Sequence, residues 1–465
     1  MKKDTSGVKL LRGDPKKAVL KLSIPMIVAM SVQTIYNFVD AIWVSGLGPD
    51  ALSAVGFFLP FFYALMALSN GIGMGGSAAL SRRIGANDPK GADSVANHSM
   101  VLCVIAAAAF SLPTTLLAEQ IFRFLGAGDV TPLVVSYSRV LFGGSIIMFF
   151  TNVANSLLRG EGDTKRAMYA MVLGSVLNIF LDPVFIYTLD MGVAGAAWAT
   201  LISMAVSAVI LFYWLMVKKD SYVSIRMREF KHDMAISRDI LRVGLPFAMQ
   251  QMSMSIMVFM LNGIVVSVGG TDGIAVYGTG WRVATLATLP SIGMASAVTA
   301  VTGAAYGMRS YEKIRVAHLY AVKMGVLMEV CIAAFTFLLA PQITALFTQA
   351  ESSARISGEL INMLRIMCLY YVAIPFGMLS SSTFQGMGKG INSLFVTIWR
   401  TLVLTCIFSY VFAITMGMGL GGVWYGNVVG NAVGAMTAFT WIKITIRNWG
   451  EKLKDPLLST GPSQM

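Results

Sequence analysis

Two carboxylates interrupt otherwise apolar stretches of this chain. Asp40 lies within LSIPMIVAMSVQTIYNFVDAIWVSGLG (22–48), and Asp182 lies within LNIFLDPVFIY (177–187). A carboxylate at membrane depth costs about 2.5–3.5 kcal/mol on insertion scales, so it is typically functional or paired. These two acids are therefore the first candidates for chemistry.

The composition places the whole chain in a bilayer. Of its 465 residues, 56% are hydrophobic and 12% charged, with a mean hydropathy of +0.70. A soluble protein carries about 25% charged residues. The net charge of +12 is concentrated at segment ends, which suits a lipid bilayer as partner and excludes nucleic acid. The sequence has no G-x-x-x-x-G-K-[ST] phosphate loop, which argues against intrinsic ATP-driven pumping.

Twelve apolar stretches are each about as long as the ~20 residues of a spanning helix. In lipid, an α-helix forms all the hydrogen bonds of its backbone within its own segment. We therefore predict an all-α integral membrane protein. The predicted helices are 16–45, 52–80, 94–118, 129–158, 164–189, 193–217, 236–267, 273–302, 314–340, 354–385, 391–415 and 420–446.

Basic residues gather in alternate connections and in both tails. This asymmetry predicts that both termini and the even-numbered loops lie in the cytoplasm, and it favours an even number of helices. We expect a multi-pass protein of the cell membrane.

The chain also repeats itself at about half its length. KLSIPMIVAMSV (21–32) resembles RVGLPFAMQQMS (242–253), with Pro25 matching Pro246. Six helices per repeat make the two halves parallel, so we predict two pseudo-symmetric six-helix lobes. The predicted organisation is a first lobe at 1–217, a cytoplasmic linker at 218–238, a second lobe at 239–447 and a cytoplasmic tail at 448–465.

Three further polar groups fall near the two acids in predicted depth. At about 1.5 Å per residue, Asp40 lies about 9 Å and Asp182 about 12 Å below the outer ends of their helices. Asn178 is one turn deeper than Asp182 on the same face, and Thr200 and Tyr137 lie in the same outer half. These hard oxygens suit a small cation or a proton relay.

The second repeat lacks these groups. Leu261 aligns with Asp40, Phe408 with Asp182 and Leu404 with Asn178. A purely structural polar contact would not need this asymmetry, so the acids indicate a function of the first lobe.

A structural alternative remains for some of these residues. Asp40 could simply pair with a buried base, and the candidates are Arg139, Arg282, Lys323, Arg365 and Arg400. Asn152 and Asn155 either line a cavity or hold helices together. The glycines of GIGMGG (71–76) match a dinucleotide pattern, but their helical setting favours close packing.

Several motifs carry a family resemblance. LRGDP (11–15), the first apolar stretch, LRGEGD (158–163) and LNIFLDPVFIY (177–187) resemble the multidrug and toxic compound extrusion (MATE) family. The resemblance extends from about residue 10 to residue 447, and it is strongest to the DinF-like branch in its archaeal form. It implies a MATE/MOP-type fold of twelve helices and no enzyme activity.

The resemblance also implies a function and residue roles. The family exports organic, often cationic or amphipathic, compounds by alternating access in exchange for protons or sodium ions. By resemblance, the cation site is Asp40, Asn178, Asp182 and Thr200 with Tyr137 nearby, and it holds sodium if the protein is sodium-coupled. The polar lining of the substrate cavity would be Gln33, Tyr36, Asn37, Asn152 and Asn155, and Pro25 would be the hinge of the first helix.

The sequence leaves some alternatives open. It does not separate proton from sodium coupling, and it predicts no cofactor besides the transported ion. We expect a monomer that acts on small organic substrates. The competing function is a flippase for lipids or lipid-linked precursors on the same fold, which a strongly cationic cavity would favour.

Overall fold

Every regular element in the described part of the chain is helical. The computed structural model describes residues 4–218, 220–226, 230–349 and 354–454. Parts of the predicted linker (219 and 227–229) and of the predicted tail (455–465) lie outside these residues. The predicted all-α class is confirmed.

The first six spanning helices follow the predicted segments closely. They are α1 (Pro15–Ser45), α2 (Pro49–Gly85), α3 (Pro89–Leu116), α4 (Thr131–Gly143 and Ser145–Gly160), α5 (Thr164–Pro183, continued by Val184–Thr188) and α6 (Gly192–Phe212, continued by Tyr213–Val217). The starts of α3 and α5 have an Asp cap, because Asp88 and Asp163 accept bonds from the first-turn amides of Gly91 and Arg166.

The second six helices contain one long helical run that divides in two. They are α7 and α8 (Met234–Ala287, with α8 continued by Leu289–Gly307), α9 (Tyr311–Leu338), α10 (Ser357–Gly386), α11 (Gly390–Thr397 through Val411–Thr415) and α12 (Gly419–Lys454). Gly270 separates α7 from α8, with φ 56° and ψ −147°. Only glycine takes this conformation readily, so the break falls within the predicted gap at 267–273.

The helices are long and apolar enough to cross a membrane. Nine described helices meet that requirement singly, and the bent α4 is a tenth. The break at Gly270 divides one of these helices into two, and α12, which is not among the ten, occupies the twelfth predicted segment. Two predicted helices, 129–158 and 273–302, are interrupted in the structure. The two parts of α4 differ in direction by 47° at Gly144, and α8 is interrupted at Thr288.

The chain forms two compact units, and each contains part of α1 and part of α7. The first unit comprises Met1–Gly13 and Val28–Ala248, and the second comprises Asp14–Ile27 and Met249–Met465. The predicted lobes divide the chain at the linker, whereas packing divides α1 and α7 themselves.

Glycines allow the parts of α1 and α7 to pack closely within the unit to which each part belongs. In the first unit, a Cβ atom at Gly71 of α2 would lie 2.7 Å from the carbonyl oxygen of Gly244 on α7. In the second unit, a Cβ atom at Gly293 of α8 would lie 2.9 Å from the backbone nitrogen of Ile27 on α1. The GIGMGG glycines therefore serve close helix packing.

Candidate functional site

The carboxyl groups of Asp40 and Asp182 are close neighbours in the first unit. Asp40 projects from α1 and Asp182 from α5, and each is the main charged neighbour of the other. Asp182 is fully buried (0% exposed), and neither of its carboxyl oxygens has a hydrogen-bond donor. Two carboxylates held together in this way repel each other unless a proton or a cation joins them.

Asn178 adds a third acceptor without a donor. It precedes Asp182 by one helical turn and is also buried, and its Oδ1 has no partner. Its Nδ2 donates to the Oγ1 of Thr200 on α6 at 3.4 Å, which fixes the direction of the amide. Buried acceptors without partners are rare and cost free energy, so this group of oxygens is suited to a bound ion.

Within the described part of the chain, no basic side chain forms an ion pair with the acids. The ion pairs that the described residues form include neither Asp40 nor Asp182. Of the bases that could have paired with Asp40, Arg400 instead contacts Asn431, and Arg365 lies over the ring of Phe337. The ion-pair interpretation of Asp40 finds no support in these contacts.

Two tyrosines complete the surroundings of the acids. Tyr36 precedes Asp40 by one turn on α1, and Tyr137 lies on α4; both interact electrostatically with Asp40 and Asp182. The ring of Tyr137 packs edge-on against Phe58, with 5.2 Å between centroids. Tyr36 therefore belongs with the acids as well as with the polar face of α1.

The helix that carries Asp182 changes its winding directly beyond it. Pro183 follows Asp182, and Val184–Thr188 forms a π-helical turn, in which the amide of Leu189 bonds to the carbonyl of Val184. Proline provides no amide hydrogen, and wide turns of this kind are frequent at functional sites.

The remaining predicted cavity residues divide into two groups. Gln33 and Asn37 are exposed on the face of α1 that leads to Asp40. The Nδ2 of Asn152 donates to Ser69 on α2 at 3.1 Å, so this side chain joins α4 to α2. Asn155 is 5% exposed and its Oδ1 has no donor.

Pro25 is buried in a different environment from the acids. It lies in the part of α1 that belongs to the second unit, and α1 is helical from Pro15 to Ser45 through it. Asp40 lies in the part that belongs to the first unit.

The sequence interpretation missed a buried acid between two of the spanning helices. Glu161, between α4 and α5, is 1% exposed, and its Oε2 accepts bonds from the amides of Tyr222 (3.1 Å) and Val223 (3.2 Å). Burial raises the pKa of its carboxyl to about 8, although both amides favour the charged form. The repeat comparison contains the signal, because Glu161 aligns with Met387 just as Asp40 aligns with Leu261.

A family model and a curated relative both match most of this chain. The family model described as MatE matches residues 25–184 and 246–435. The multidrug export protein MepA of Staphylococcus saprophyticus is 26% identical over 429 residues, which are 91% of this chain and 92% of that protein.

Two solved structures match over nearly the whole chain. One is the outward-facing conformation of a multidrug resistance MATE family transporter of the MOP superfamily. It is 50% identical, with a TM-score of 0.94, and covers 97% of this chain and 100% of its own. The other is a MOP superfamily transporter from Pyrococcus furiosus, for which reversed polarity of the binding pocket suggests a different function. It is 51% identical, with a TM-score of 0.93, and covers 96% of this chain and 99% of its own.

Proposed function

Because the chain belongs to the MatE family of membrane transporters, we propose that it exports small organic, often cationic or amphipathic, compounds in exchange for protons or sodium ions. The proposed location is the cell membrane, with both termini in the cytoplasm and one chain as the transporting unit. The multidrug names of its relatives support the substrate class.

The observation that carries the coupling proposal is the set of buried oxygens without donors. Both carboxyl oxygens of Asp182 and the Oδ1 of Asn178 lie unpartnered beside Asp40. A sodium ion would take oxygen ligands from Asp40, Asn178, Asp182 and Thr200, whereas a proton would be shared between the two acids. Either ion would relieve the same repulsion.

Helix α1 offers a direct path from the ion to substrate release. Its outer part, with Asp40, packs in the first unit, and its beginning, with Pro25, packs in the second. Neutralising the carboxylate of Asp40 changes which neighbouring groups pack favourably against the outer part of α1. Pro25 lacks an amide hydrogen, so the helix bends most readily there, and bending would displace substrate held near Gln33 and Asn37.

Transport in proteoliposomes tests the proposal. Efflux of a fluorescent organic cation is measured with a pH gradient alone, a sodium gradient alone and neither. We expect one gradient to drive efflux, and Asp40→Asn to reduce driven efflux to the rate without a gradient. Asp50→Asn, an exposed acid at the start of α2, is the matched control and should export normally.

The same vesicles separate the competing function. If a labelled lipid crosses the bilayer at a rate that depends on Asp40 while the organic cation does not, the protein is a lipid flippase. Normal gradient-driven efflux by Asp40→Asn would show that the acid does not couple transport.

A further inference from the structure

Arg400 is a buried charge in the second unit, and none of the described residues forms an ion pair with it. It lies in the π-helical segment Ile398–Leu404 of α11 and is 5% exposed. It takes part in none of the ion pairs that the described residues form. A guanidinium stays charged under all ordinary conditions, and burying it alone is costly.

The hydrogen bonds of Arg400 leave one edge of the guanidinium unused. Its Nη1 donates to the Oδ1 of Asn431 on α12 at 3.2 Å, whereas its Nε has no acceptor. This leaves the Nε–Nη2 edge, whose two parallel N–H groups match the two oxygens of a carboxylate.

Two glycines make room for the arginine. A Cβ atom at Gly377 on α10 would lie 2.7 Å from the Cδ of Arg400 and 2.8 Å from its Nε. A Cβ atom at Gly434 on α12 would lie 2.6 Å from its Cα and Cβ. Gly377 therefore leaves room for the outer part of the arginine side chain, whereas Gly434 lets α12 approach the backbone of α11 closely.

Among the described residues, those around Arg400 offer hydrogen-bond donors but no ion-pair partner for the arginine. The hydroxyl of Tyr370 neighbours both Arg400 and Asn431, and the Nδ2 of Asn427, one turn before Asn431, lacks an acceptor. The nearby acid, Glu329, accepts a bond from Ser291 at 2.5 Å and forms no ion pair with Arg400.

We propose that Arg400 and Asn431 form a binding site for a carboxylate in the second unit, with the carboxylate received by the Nε–Nη2 edge. Trp281 packs near Tyr370, with 6.0 Å between ring centroids, so the carboxylate of an aromatic or otherwise apolar molecule fits the surroundings best. This site is separate from the Asp40 and Asp182 site and does not depend on the proposed coupling.

Thermal unfolding of the full chain in lipid nanodiscs tests the site. Sodium benzoate is titrated at constant ionic strength, with neutral benzamide of the same shape as control. We expect benzoate to raise the unfolding midpoint and to saturate, and benzamide to leave it unchanged, since a ligand that binds only the folded state stabilises it. Sodium decanoate is titrated in the same way. Tighter binding of decanoate than of benzoate indicates a membrane-derived carboxylate, and tighter binding of benzoate indicates a soluble one.

Two variants make the result specific. Arg400→Gln should weaken benzoate binding by about tenfold or more, the value of a charged hydrogen bond. Asn431→Asp keeps the arginine and supplies an internal carboxylate at the existing contact. It should unfold at a higher temperature than the wild type without benzoate and should no longer respond to benzoate.

Three results would overturn the proposal. They are an absent benzoate effect in the wild type, an undiminished effect in Asn431→Asp, and loss of the effect in Asp40→Asn. The last would assign the benzoate effect to the acidic site of the first unit. If Arg400→Gln does not fold, the benzoate response of Asn431→Asp alone tests the proposal.

Discussion

The hydroxyl of Tyr187 on α5 donates a 2.6 Å hydrogen bond to the backbone carbonyl of Trp43 on α1. The two rings also meet edge to face, with 6.1 Å between centroids. Asp40 and Asp182 lie about one turn away on the same two helices. The helices that carry the two acids are therefore joined directly beside them.

Loss of this bond should loosen the outer end of α1. Tyr187→Phe keeps the ring contact but removes the hydroxyl, at a cost of about 0.5–1.5 kcal/mol. We expect faster amide hydrogen exchange at residues 41–47, measured by mass spectrometry in nanodiscs. Tyr213→Phe, a half-exposed tyrosine on α6, is the control; equal exchange in both variants would contradict a clamp at this position.

Asp182→Asn should stabilise the protein while abolishing ion coupling. The amide carries no charge to repel Asp40, and its N–H groups can donate to acceptors that now lack donors. The gain should be about 1–3 kcal/mol, the cost of leaving buried polar groups unpaired. Thermal unfolding measures the gain, and gradient-driven efflux measures the loss. A lower midpoint in Asp182→Asn than in Asp50→Asn would refute this account of the site.

Glu161 should make stability fall as pH rises. Its pKa is about 8 in the folded protein, against about 4.3 for a free carboxyl, so the folded state binds more protons between these values. Its contribution is fully present below about pH 4 and is lost as pH rises through about 8, at no more than about 1.4 kcal/mol per pH unit.

Glu161→Gln isolates this contribution, because the amide has the same shape and does not titrate. Between pH 6 and pH 9 the wild type should lose unfolding free energy relative to Glu161→Gln. Chemical denaturation at several pH values measures the difference. Parallel pH profiles for the two proteins would assign the pH dependence to other groups.

Packing between α2 and α7 should not tolerate a methyl group at Gly71. The added Cβ would lie 2.7 Å from the carbonyl oxygen of Gly244, which is backbone and cannot turn aside. Gly71→Ala should cost about 1–3 kcal/mol, the range for overpacked sites. Gly56→Ala, on the same helix with nothing within 4 Å, should be neutral or slightly stabilising. Thermal unfolding of both variants checks the contrast.

The sequence predicts the helices well because hydropathy reports which segments prefer lipid. It also predicts the gap between α7 and α8, since a Gly-Gly pair and polar residues interrupt the apolar run at 267–273. The interruptions at Gly144 and Thr288 escape prediction, because the apolar pattern continues through both positions.

The acid pair was predictable because two observations agreed: depth along the helices and asymmetry between the repeats. Glu161 shows the same asymmetry, but it lies outside the apolar segments, where depth arguments do not apply. The unpaired state of Arg400 could not be predicted, because it depends on which helices are neighbours. For the same reason, the sequence repeat does not reveal that α1 and α7 each belong to both units.

The exchange of helix beginnings means that neither half of the chain contains everything it packs with. Residues 14–27 complete the half that follows the linker, and residues 234–248 complete the half that precedes it. A chain cut in the linker should therefore yield stable protein only when both fragments are made together.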